Sequence, residues 1–188
     1  MSVAGGTKRP GLLAGIGLAR VAAISSLLVV AIALQTTLLV RATILGVIPQ
    51  VLLVVIVSLA YVDGERVGTA SGFFGGLLVD LLLDDPTGII GLTPLIYTLI
   101  GYGVGRFRRY TPTESVWTPV LMVAGASAIA EVSYSTLSII MGRPWVSLAF
   151  TAKAAGLIVL YNTLLTPFIF PAVRRVADRF RPERVYRW

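Results

Sequence analysis

The sequence contains no cysteine and no histidine. The first absence excludes disulfides, a thiol nucleophile and thiolate metal sites. The second removes the imidazole base, the paired-histidine zinc motif and histidine proton relays. Charge is scarce as well: Asp, Glu, Lys and Arg make up 13% of the 188 residues, about half the share of a soluble domain. Acidic residues are the rarer sign, 9 against 16 basic ones, which leaves a net charge of +7. What is abundant is apolar. Hydrophobic residues account for 56% of the chain, 19 more are glycine, and mean hydropathy is +0.85. A soluble core of this size cannot hide so much apolar surface, so the chain reads as an all-α integral membrane protein.

Six apolar stretches carry little or no charge, at 21–40, 44–62, 67–83, 89–105, 116–141 and 145–171. About 20 residues at a 1.5 Å rise cross a ~30 Å hydrocarbon core, so six transmembrane helices are expected. The connectors are short, and beyond the helices the sequence offers only a basic tail at 1–20 and another at 172–188. With the N-terminus cytoplasmic, 13 Lys and Arg fall on the inside and only Arg41 and Arg143 on the outside, with Lys153 within a span. That asymmetry places both termini in the cytoplasm. The positive charge then faces anionic lipid headgroups rather than nucleic acid. In the C-terminal tail, Val173, Val176 and Phe180 recur at helical spacing, as in a helix lying on the inner surface. Lys8 and Arg9 ahead of an apolar run also resemble a secretion signal, but the run continues to Val40, longer than a signal core needs.

Ionisable residues inside spans are costly and therefore informative. Asp80, Glu131 and Lys153 are the three. Glu131 and Lys153 lie at similar depths on spans joined by a short loop, which suggests a buried ion pair that fixes packing; a substrate or proton site is the alternative. Ser127, Glu131, Ser135 and Ser138 share one face of the fifth span. Gly68, Gly72, Gly76 and Asp80 form a four-residue ladder on the third, and Tyr97, Gly101 and Gly105 a weaker one on the fourth. Glycines at this spacing let another helix approach closely, within the protein or from a partner. Asp63-Gly64 with Gly76, Asp80 and Asp84 is similar to the metal-binding pattern of CDP-alcohol phosphatidyltransferases. Val67-Gly68 stand where that pattern has Ala-Arg, however, and 17 residues of helix separate Asp63 from Asp80 by about 25 Å.

A more continuous likeness runs through Pro49-Gln50, the segment Gly68-Thr69-Ala70-Ser71-Gly72-Phe73-Phe74-Gly75-Gly76-Leu77-Leu78-Val79-Asp80, and Gly88 to Gly105 followed by Arg106. These residues resemble the MreD family of bacterial rod shape-determining membrane proteins. The resemblance implies a non-enzymatic protein of the bacterial cytoplasmic (inner) membrane, without catalytic residues, metal or cofactor. It implies partnership with MreC in the lateral cell-wall (peptidoglycan) elongation complex, with RodA, a class B penicillin-binding protein and, indirectly, MreB. The family also resembles the substrate-binding S-components of vitamin transporters, which implies as an alternative a small-molecule-binding subunit. The polar face of the fifth span is compatible with such a role.

Overall fold

A computed structural model describes residues 17–39, 47–82, 89–111, 115, 117–142 and 148–180. The described chain is helical: α1 (Leu18–Leu34, continued by a π-helical turn Gln35–Leu39), α2 (Val51–Asp63), α3 (Glu65–Leu82), α4 (Leu92–Phe107, ending in a 3-10 turn Arg108–Tyr110), α5 (Trp117–Ile140) and α6 (Leu148–Arg179). Each helix stands on one of the six apolar stretches. Among the described residues, three segments are long and apolar enough to cross a membrane, namely Leu18–Thr37, Trp117–Ile140 and Ala152–Arg179.

The second helix departs furthest from its expected span of 44–62. It has 13 residues, about 20 Å of rise, short of a ~30 Å hydrocarbon core. Nearly all of it is buried, with Leu52, Leu53, Val54, Ile56, Leu59 and Ala60 fully enclosed. A helix apolar on every side is stable only where every side is covered by apolar groups. Here the cover is protein, since α1, α3, α4, α5 and α6 all pack on α2. Outward-facing residues of the surrounding helices, such as Leu99, Leu121, Ile129, Leu160, Leu164 and Phe168, are apolar and exposed, which suits hydrocarbon.

One residue, Gly64, joins α2 to α3. Its φ of +96° is open to glycine and strained for any other residue. The last helix runs on past residue 171: α6 continues unbroken through Pro167 and Pro171 to Arg179. Thr163 and Thr166 hydroxyls donate to the Val159 and Asn162 carbonyls in the same stretch, a local adjustment common where proline interrupts a membrane helix. The tail segments 1–16 and 181–188, together with Asp84 and Arg143, lie outside the described residues.

Candidate functional site

The ladder of α3 meets the weaker ladder of α4. A Cβ placed on Gly68 would collide with the Gly101 carbonyl, one on Gly72 with the Tyr97 carbonyl, and one on Gly76 with Pro94 Cα at 2.5 Å. The reverse holds for Gly101 against Gly68 and for Gly105 against Glu65. Without side chains between them, two backbones touch along three turns and gain dispersion contacts that lipid tails fit less well. Asp80, the fourth rung, accepts a hydrogen bond from the Gly91 backbone N–H at 2.7 Å. That bond ties the end of α3 to the residue preceding α4, a local structural role.

Where α2 begins, five elements converge on one polar junction. Helix starts leave N–H groups without intrahelical partners, and inside a membrane domain each needs another acceptor. The Gln50 N–H donates to Asn162 Oδ1 of α6 (3.0 Å), and the Leu52 N–H to Gln35 Oε1 at the end of α1 (3.2 Å). Gln50 donates through Nε2 to Glu131 Oε1 of α5, and its Oε1 accepts from the Tyr97 hydroxyl of α4 at 3.5 Å. Asn162 completes the set by donating through Nδ2 to Ser127 Oγ at 2.8 Å, both residues being wholly buried.

Glu131 is therefore engaged, but not by the residue the sequence suggested. Lys153 is exposed, and among the described residues no ion pair joins it to Glu131. The reason is helical phase: Lys153 precedes Asn162 by nine residues, about 900° of rotation, which puts the two on opposite faces of α6. With Asn162 facing inward, Lys153 faces out. Gln50, Asn162 and Gln35 are the members of this junction that charge-based reading misses. The recoverable signal is that Ile158, Asn162, Thr166, Val173 and Ala177 share the buried face of α6.

At the opposite end of α2 a second polar set gathers. Arg20 of α1 pairs with Asp63 at 2.8 Å, with the carboxylate almost fully buried. Arg108 donates to the carbonyls of Tyr61 and Val62, satisfying the C-terminus of α2, and its guanidinium lies against Gly64. Glu65 receives Arg109 at 3.0 Å and Arg106 at 3.9 Å. Several of the arginines that set the charge asymmetry thus also bind helix ends together. Asp63 ends α2, beside the start of α3, and Asp80 lies near the far end of α3; each has a structural partner, and no described geometry brings them to a common metal.

A family model described as MreD, rod shape-determining protein MreD, matches residues 18–176. The chain belongs to the MreD family. That membership assigns it to rod shape determination, in a family of shape-determining membrane proteins. No curated protein and no solved structure gave a match. The likeness to transporter S-components therefore gains no support here.

Proposed function

We propose that this protein is a non-enzymatic scaffold of the bacterial inner membrane, crossing it six times with both termini cytoplasmic, and that it partners an MreC-like membrane protein in the lateral cell-wall elongation complex. RodA and a class B penicillin-binding protein would be neighbours in that complex, with MreB connected indirectly. The family match over residues 18–176 carries this reading. The sequence adds that no loop between the helices is long enough to fold alone, so a partner must be met by helix faces or tails. The gathering of Arg20, Arg106, Arg108 and Arg109 around the ends of α2 and α3 supports an up-and-down bundle with one basic end.

The partner reading is tested by co-expressing the tagged chain with the MreC of the same genome and purifying in mild detergent. Retention of MreC, together with restored rod shape in cells depleted of their own family member, is the expected result. A stable, membrane-inserted protein that retains no MreC and leaves such cells round would reject it.

Topology is testable separately because the chain has no native cysteine. Ile90→Cys and Met141→Cys should react with impermeant maleimide on intact cells, and Tyr110→Cys only after lysis; all three residues are exposed. The reverse labelling pattern contradicts the proposed orientation.

A further inference from the structure

Around α2 the other helices stand in a ring, in the order α3, α4, α5, α6, α1. Their apolar lengths differ from one side of the ring to the other. On α5, Trp117–Ile140 rises about 35 Å, and its one charged residue, Glu131, is bound to Gln50. On α6, Lys153 to Arg174 spans about 32 Å, and the segment Leu18–Thr37 that contains α1 spans about 30 Å. The two remaining helices of the ring are shorter. On α3, Glu65 and Asp80 are about 22 Å apart, and the helix ends at Leu82, about 26 Å from Glu65. On α4, Leu92 to Arg106 is about 21 Å.

Side-chain reach does little to lengthen either helix. A long cation can extend towards water from below the surface. Here, however, Arg106 and Arg109 both turn to Glu65, at 3.9 and 3.0 Å, which sets one charged layer across the basic ends of α3 and α4. At the other end the bond from the Gly91 N–H to Asp80, 2.7 Å long, sets a polar level. Tyr102 agrees with a short band, since it is half exposed one turn from Arg106, as suits an interfacial tyrosine. Protein covers the short helix α2, but α3 and α4 present Phe73, Phe74, Leu95 and Leu99 outward. The glycine seam holds the pair side by side, so the two short bands join into one face. Helix tilt, about 20° on average in membranes, only reduces their reach. Against a ~30 Å hydrocarbon core the face falls short by about 4–9 Å.

We propose that the α3–α4 side is a thin face, which thins the adjoining bilayer and gathers phospholipids of shorter acyl chain than those around α5 and α6. A band too short for the bilayer is matched by local thinning, and shorter chains lower the cost of that thinning. The inference rests on α3 and α4 crossing the membrane, and not on the MreC partnership.

The absence of native cysteine lets one probe be placed on each side. Leu99 of α4 and Leu164 of α6 are both exposed and lie in mid-helix. The full chain carrying Leu99→Cys or Leu164→Cys is labelled with bimane and reconstituted into mixed vesicles of fourteen- and eighteen-carbon phosphatidylcholine. Bromination of one lipid or the other makes quenching report which of them touches the probe. At position 99 the shorter lipid should be enriched about threefold over its bulk fraction, and at position 164 it should not be enriched. Equal enrichment at the two positions overturns the proposal, as does a preference for the longer lipid at position 99. Quenching at position 164 with none at position 99 also overturns it, because protein, a second copy or a partner, would then cover the face. Maleimide labelling of Ile90→Cys and Tyr110→Cys separates this inference from the topology. If both react from one side, α4 does not cross and both readings fall; if they react from opposite sides and the lipids are not sorted, the thin face alone is rejected.

Discussion

Gly72→Leu should abolish accumulation of folded protein. The new side chain begins where the Tyr97 carbonyl already sits, and the neighbouring atoms of Thr98 and Tyr97 are backbone too. A flexible side chain can turn aside; a helix backbone cannot. The helices must separate, and with them go the contacts at Gly68 and Gly76, which depend on the same approach. Overpacking at an ordinary core site costs about 1–3 kcal/mol, a range suited to Gly72→Ala. Leucine adds several more heavy atoms against backbone, enough to exhaust a stability margin of about 5–15 kcal/mol when the whole seam opens. Gly103→Leu, on the facing helix but in open space, is the matched control and should accumulate normally. Membrane-fraction immunoblots of the two variants decide the matter. Equal, normal amounts would mean that α3 and α4 are not in contact.

Asn162→Leu should be the second most damaging change. One substitution orphans the part-buried Gln50 N–H and the fully buried Ser127 hydroxyl. Single side-chain hydrogen bonds in a membrane bundle average only about 0.6 kcal/mol, because the separated helices find other partners. A backbone N–H at the start of a buried helix has no such alternative, and each orphaned group costs about 1–3 kcal/mol. Together they amount to about 2–6 kcal/mol, readable as a shifted midpoint in detergent denaturation. Lys153→Met on the same helix should stay within about 0.5 kcal/mol of the parent, since its side chain faces out. If the two variants lose stability equally, α6 presents a different face to the bundle.

Hydropathy was sufficient to locate the helices because an apolar stretch reads the same way whatever covers it. For the same reason it could not separate α2 from its neighbours. Lipid tails and leucine side chains are chemically alike, so a helix wrapped in protein and one wrapped in lipid share a composition. The stretch 44–62 is long enough in sequence to cross a bilayer, and the 13-residue length of α2 emerges only in the structure. The glycine ladders were visible because backbone contact leaves a spacing in the sequence. The polar junction was not. Its members come from five separate segments, and neutral Gln35, Gln50 and Asn162 carry less of the penalty that makes charged residues conspicuous. Depth along a span follows from counting residues, whereas the direction a side chain points needs a reference face. Glu131 was therefore matched to Lys153 by height and missed its partner by rotation.

The bond between the Gln50 N–H and Asn162 spans 112 positions of sequence, so the start of α2 cannot meet its acceptor before α6 has been made. During synthesis α2 leaves the ribosome long before α6 exists. At about 20 Å it is short of a ~30 Å hydrocarbon core, and Gly64 alone separates it from α3, so the two helices form one tight hairpin. Until α6 arrives, the start of that hairpin has a backbone donor without its final acceptor. The sixth helix is thus the closing stave of the barrel around the second.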